Sequence, residues 1–232
     1  MFKNLLRPRW IILTFLLAIL IYLFIELSGW QFDRYHQRID RNKDFVTAIG
    51  GAPISIENVS QMSNLKQWGK VSLSGQYLDA ESKLVRKRYL KNSLGFWVLT
   101  PFRLANNEIV LVNRGWIPSA NSSNSELSIP MSPTQQVLLE GYLQPMEKFK
   151  ANPADLPSNQ INDINVEKFK VNIYTNFYVQ VSKSNPAEKD IGIIYLPEVS
   201  NGPHLSYAIQ WILFALLLPI GWYVLLKNED KN

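Results

Sequence analysis

Cysteine is missing from this 232-residue chain, and histidine occurs only twice, at His36 and His204. The first absence excludes a disulfide framework, thiolate zinc sites and a cysteine nucleophile. The second excludes any centre built on several imidazoles. No H-E-x-x-H, G-x-S-x-G or glycine-rich phosphate loop occurs either. A Ser-His-Asp triad would have to use one of two histidines that stand beside apolar runs, so the chain reads as non-enzymatic. Charge of one sign is not abundant: 24 Lys and Arg face 19 Asp and Glu, a net of +5. Solvation accounts for such a bias, and no nucleic-acid partner is implied.

What the chain does hold is apolar sequence, 47% of its residues, gathered at the two ends. Trp10–Ser28 runs for 19 residues with one charge, Glu26. At ~1.5 Å per residue it reaches about 28 Å, close to the hydrocarbon thickness of a bilayer. Tyr207–Leu226 runs for 20 residues with no charge and one internal proline, Pro219. Residues 10–30 and 207–226 are therefore expected as two transmembrane helices. A cleaved signal peptide is the rival reading of the first. The length of the run and the poor cleavage site at Leu27-Ser28-Gly29 favour an uncleaved anchor.

Basic residues near the spans set the expected orientation. Lys3, Arg7 and Arg9 precede the first span, and Lys227 and Lys231 follow the second. Residues 1–9 and the tail 227–232 are expected in the cytoplasm, and residues 31–206 across the membrane. Arg34, Arg38, Arg41 and Lys43 oppose this, but a long translocated segment is largely exempt from the positive-inside rule. A short basic N-terminus without an Arg/Ser-rich leader points to a bacterial inner membrane, with the central domain periplasmic and lipid as a standing partner.

Residues 31–49 contain no helix breaker and are expected to prolong the first helix to Gly50-Gly51-Ala52-Pro53. Short β-rich runs follow. Gly69–Leu78 alternates Val71, Leu73, Gly75 and Tyr77 on one side with serines and Gln76 on the other. Lys83–Leu90, Gly95–Leu104, Ile109–Ile117 and Gln136–Leu143 continue the pattern, with Asn106-Asn107 as a hairpin turn. Ile109–Ile117 is apolar enough for a central strand. Ala120–Pro133 and Lys148–Asn165 read as loops, Asn165–Val171 as a short helix, and Phe177–Ser182 and Ile191–Leu196 as closing strands. The expected fold class is α+β: two transmembrane helices flanking a mainly antiparallel β domain, either open or barrel-like.

Few features could carry chemistry. The basic run Lys83, Arg86, Lys87, Arg88, Lys91 reads first as edge-strand charge that deters aggregation, and second as an anion site. Asn113-Arg114-Gly115-Trp116 reads first as a packing device, with Gly115 in a special backbone angle, Trp116 packed and Arg114 capping carbonyls or paired to a carboxylate, and second as a direct contact for haem or client. At the outer mouth of the second span, His204, Tyr207 and Trp211 fall on one helical stripe. An aromatic belt would contain such residues. So would a site in which neutral His204 Nε2 ligates a haem iron, with Arg34 and Arg38 pairing propionates. Glu26, meeting Gln210 or His204, is expected to pin the two helices together.

Four strings of residues resemble the surfeit locus protein one family of cytochrome c oxidase assembly factors, over nearly the whole chain. They are Trp30-Gln31 with Arg34 and Arg38; Gly95–Phe102 followed by Val110–Pro118, which contains V-N-R-G-W-I-P; Glu140-Gly141-Tyr142-Leu143; and His204–Trp211, H-L-S-Y-A-I-Q-W. The resemblance implies help with haem a delivery or insertion into the catalytic subunit of the oxidase, in concert with the haem a synthesis machinery. It also implies His204 as the iron ligand, with Trp30, Tyr207 and Trp211 walling the macrocycle. A cofactor-free chaperone or scaffold that steadies an oxidase subunit is the alternative.

Overall fold

The computed structural model describes residues 7–119, 127–173 and 176–229. They fall into two compact units: the chain up to Asp44 together with the chain from Glu198, and Phe45–Pro197.

The first unit is built on helix α1, Pro8–Gly50, and helix α2, His204–Glu229. Proline suits the first helical position of α1, where its missing N–H is no loss. Residues 31–49 continue the same helix without a break, and the glycine pair at 50–51 ends it. Gly202, at φ +66°, turns the chain into Pro203 and the start of α2. Both helices are long and apolar enough to cross a membrane. Pro219 lies inside α2, a position that apolar spans tolerate.

The helices run antiparallel along a seam of small residues. Ser28, Ala208 and Ala215 are buried in it, and Ser28 Oγ donates to the Ala208 carbonyl at 3.0 Å. Small side chains let backbones approach where water supplies no driving force between helices. At the far end Trp10 meets Trp222 edge-on, with ring centroids 6.1 Å apart. There Glu229 accepts from Trp10 Nε1 at 2.6 Å and Arg7 at 3.1 Å, and pairs with Arg9. The expected pin was Glu26 with Gln210 or His204. Glu26 and Gln210 are instead both exposed, because the seam passes through Ser28 and Gln31, not through position 26.

The second unit is an eight-stranded sheet: β1 Ile54–Ile56, β2 Lys70–Tyr77, β3 Lys83–Leu90, β4 Ser93–Leu104, β5 Ile109–Pro118, β6 Val137–Pro145, β7 Gln160–Ile161 and β8 Phe177–Asn185. Neighbours run β1-β2-β6-β8-β5-β4-β3-β7, and β2 also pairs with β4. Strands β2, β6, β8, β5 and β4 therefore close into a ring, the barrel-like alternative. Closure depends on Gly75, which pairs with Val137 of β6 and Leu104 of β4. A Cβ there would stand 2.0 Å from the Arg103 carbonyl oxygen.

The sheet is mixed. The pairs β1–β2, β3–β7 and β5–β8 are parallel, while β2–β4, β2–β6, β3–β4, β4–β5 and β6–β8 are antiparallel. Three expectations differ. The expected loop Lys148–Asn165 carries β7, which pairs with Leu84 and Val85 of β3. Ile191–Leu196 makes a single bridge, Gly192 to Trp116, and no strand. Asn165–Val171 yields only a 3₁₀ turn, Val166–Lys168, which the Asn165 side chain caps. Of the loop 120–133, residues 120–126 lie outside the described residues.

Strand periodicity divides the core. Val71, Leu73, Phe102, Val110, Val112, Leu139 and Val179 face one cluster, and Leu99, Leu111, Ile161 and Tyr178 another. Strand β5 contributes to both, as a strand buried on two faces must. It carries a bulge. Val98 pairs with Gly115 but Leu99 with Asn113, which leaves Arg114 as the extra residue. Gly115 takes φ +145° there, and its N–H reaches Asn113 Oδ1 at 3.2 Å.

The bulge turns the Arg114 side chain fully inward. It donates through Nε to Glu188 at 2.8 Å, reaches Asp79 at 3.5 Å and lies 5.1 Å from the centre of the Tyr77 ring. Tyr77 Oη donates to Glu188 at 2.8 Å. Burial first, and the Glu188 charge second, push the Tyr77 phenol well above the ordinary tyrosine range. Burial and the Glu147 charge do the same to Tyr178. The Asn-Arg-Gly-Trp string thus acts as a packing device, with Arg114 as the clasp.

Candidate functional site at the helix junction

All six residues singled out as candidate site residues lie in the helical unit, and the structure distributes them unequally. His204 opens α2 and is half-buried against α1. Its Nδ1 stands 2.9 Å from Gln31 Oε1. An amide oxygen can only accept, so the contact requires a proton on Nδ1, and in the neutral ring it leaves the Nε2 lone pair uncommitted. Gln31 follows Trp30 directly and belongs to the same string of residues. Sequence reasoning did not assign it a role. The i, i+3 and i+10 spacing of Ser28, Gln31 and Arg38, which keeps the three near one face of α1, is the signal that could have found it.

Trp30 is half-exposed, and the Arg34 guanidinium sits 5.5 Å from its ring centre. Arg34 also donates to Gln37 Oε1 at 3.1 Å. One turn further along, Arg38 Nε donates to the Ser200 carbonyl at 2.9 Å, beside Asn42, whose amide reaches Ser200 and Asn201. Trp30, Arg34 and Arg38 therefore share an i, i+4, i+8 stripe. Arg38 is committed to the chain that leads into α2.

On α2 the expected stripe His204, Tyr207, Trp211 divides. The seam that meets α1 runs through His204, Ala208, Trp211 and Ala215, at i, i+4, i+7 and i+11. Trp211 packs between Phe24 and Phe214, with centroids 5.3 and 5.8 Å away. Tyr207 stands one position off the seam and is exposed. The structure thus joins His204 to Gln31 and Trp30 to Arg34, and sets Trp211 into an aromatic trio one helical turn deeper than Ala208.

One imidazole with a fixed donor side and a free acceptor side can ligate a single metal centre that brings its own equatorial ligands. Among the described residues, no group of three or more His, Cys, Asp or Glu side chains could hold a bare metal ion. The donor set fits a haem iron and does not fit a protein-ligated cation.

Two apolar helices of spanning length that flank a closed β module in the chain are the architecture of a membrane-anchored protein. A model of the SURF1 family matches residues 18–216, and the chain belongs to that family of oxidase assembly factors. It is 28% identical over 228 residues to an uncharacterized SURF1-like protein of Mycobacterium bovis, covering 94% of this chain and 83% of the relative. A SURF1-like protein of Rickettsia prowazekii is 27% identical over 241 residues, covering 94% and 91%. One from Dictyostelium discoideum is 30% identical over 114 residues, covering 44% and 41%.

Proposed function

We propose that this protein assists haem a delivery or insertion into the catalytic subunit of cytochrome c oxidase, with His204 as the protein ligand to iron. The observation that supports the reading most is the His204–Gln31 contact, which leaves Nε2 as the free nitrogen of the neutral ring. Haem a, when bound, would supply the iron that the imidazole holds. Trp30 and Tyr207, both exposed, would flank the macrocycle, and Arg34 would pair with a propionate. The haem a synthesis machinery would be the donor and the oxidase subunit the recipient. The β module would be periplasmic and both termini cytoplasmic, in a bacterial inner membrane. Phosphatase fusions after Leu143 should then be active, and those after Lys227 inactive.

Co-expression with the enzymes of haem a synthesis provides the test. Purified protein should show a haem a Soret band, and His204→Ala should lose it while keeping its yield and melting behaviour. Equal haem content in the two proteins would remove the ligand assignment.

A second reading has its own support. Trp211 is packed into the Phe24–Phe214 pair, and the Arg38 Nε–H is used by Ser200, so two of the six residues already serve the helix pair itself. A cofactor-free scaffold for an oxidase subunit would need no more. It gives no Soret band from purified protein, while a deletion strain remains oxidase-deficient.

A further inference from the structure

The basic run of β3 occupies a place in the fold that its sequence did not reveal. Val85 pairs with Trp97 but Arg88 with Gly95, so Arg86 and Lys87 together oppose one residue of β4. That is a bulge, and it turns both side chains off the regular alternation of the strand. Lys87 sits at φ +58°, a conformation that residues other than glycine seldom adopt and that gathers at functional sites.

A cavity of about 690 Å³ lies against the bulge, lined by Arg86, Lys87, Arg88, Lys148, Lys150 and Glu147. The single carboxylate is already engaged. Glu147 accepts from Arg88 Nη2 at 2.6 Å and from the Ile164 N–H at 3.3 Å. Arg88, its guanidinium 4.5 Å from the centre of the Trp97 ring, keeps a buried Nε–H with no acceptor among the described residues.

The wall that carries the two lysines is built, not draped. The Glu147 N–H binds the Ile164 carbonyl at 2.8 Å, and the Lys150 N–H binds Asp163 Oδ2 at 3.1 Å. Asp163 is itself buried and pairs at 3.3 Å with buried Lys168. Five cations on two fixed walls, against one carboxylate in use, form a preorganised site for a multiply charged oxyanion.

We propose that this cavity binds the phosphate group of a ligand. Guanidinium and ammonium groups recognise phosphate through charge-assisted hydrogen bonds, and a doubly charged group answers this excess of cations better than a lone carboxylate does. The volume lies within the ~300–1,000 Å³ of small-molecule sites, so the phosphate belongs to a larger ligand. A phosphorylated soluble compound and an anionic lipid headgroup share this chemistry. The proposal is independent of the His204 reading, since it concerns the other compact unit and other residues.

Inorganic pyrophosphate, titrated calorimetrically into the full-length protein in neutral detergent, serves as the probe. Saturable binding is expected, weakening as salt rises. Lys87→Gly removes a cation where glycine suits the backbone, so the bulge is kept. Lys148→Gln removes a second cation from the opposite wall. Each change should weaken binding by roughly tenfold, the expected loss for one charge-assisted contact, while thermal unfolding stays put. Lys148→Arg should retain binding.

Repeating the titration in phosphatidylcholine nanodiscs with and without phosphatidylglycerol separates the two sources. Loss of pyrophosphate binding only in the anionic discs identifies a lipid headgroup, and equal binding in both identifies a soluble ligand. Absence of saturable binding in detergent, or binding unchanged in the Lys87→Gly/Lys148→Gln double variant, overturns the proposal. So does uptake of a poly-glutamate peptide without uptake of pyrophosphate.

Discussion

Arg114 is the most consequential single side chain of the β module. Its side chain is 0% exposed, and its partners Glu188 and Asp79 are 9% and 36% exposed. Replacing it with methionine fills much of the same space but leaves the Glu188 carboxylate buried with, among the described residues, only the Tyr77 hydroxyl to answer it. Removing one partner of a buried pair costs about 3–5 kcal/mol. Asp79, being part-exposed, can turn to water and adds little, so the lower end, about 3 kcal/mol, is expected. For a unit of roughly 150 residues this lowers Tm by about 6–12 °C.

Urea unfolding of the full-length protein in detergent, followed by tryptophan fluorescence, measures the loss. The double variant Arg114→Met/Glu188→Met removes the stranded charge as well. It should be more stable than Arg114→Met alone, short of wild type by about 1 kcal/mol for the unpartnered Tyr77 hydroxyl. A single-variant cost below about 1 kcal/mol, or a double variant that shows the sum of two single losses, would refute the clasp reasoning.

Other perturbations test the rest of the architecture. Tyr77 and Tyr178 hold their protons above the ordinary tyrosine range, so the unfolded chain ionises first as pH rises past about 10. Stability is fully present below that pH and falls above it, by up to about 1.4 kcal/mol per pH unit for each ring. Tyr77→Phe and Tyr178→Phe should flatten the fall measured by urea unfolding between pH 9 and 11. Gly75→Ala sets a methyl group into the Arg103 carbonyl and should cost about 3 kcal/mol or prevent ring closure, read as lost thermal stability or yield. Because the chain has no cysteine, Ser28→Cys/Ala208→Cys gives a clean report on the helix seam. The pair should crosslink under mild oxidation, and Ser28→Cys/Gln210→Cys should not.

Much of this protein was legible without coordinates, because the signals were local. Two long apolar runs mark the helices, and a breaker-free polar stretch ending in Gly50-Gly51 prolongs the first. Strict alternation places Val71, Leu73, Gly75 and Tyr77 on one face of β2, and all four are buried. Asn113-Arg114-Gly115 announces a special backbone angle, since only glycine adopts φ near +145° without penalty.

What the local signals could not carry is who meets whom. The parallel pairing of β5 with β8, and β2 dividing between β6 and β4, join residues far apart in the chain, and nothing in either strand names its partner. Gln31 and His204 stand 173 positions apart and meet only because two helices pack along Ser28, Ala208 and Ala215. The same holds for the basic run of β3. Its charges are evident in the sequence, but the cavity needs a bulge to turn them and a separate loop to bring Lys148 and Lys150 opposite. Composition and periodicity decide which residues want to be buried or helical, since each residue's solvation and backbone preference is its own. Pairings, closures and pockets depend on the whole chain at once, so they exist only in the folded molecule.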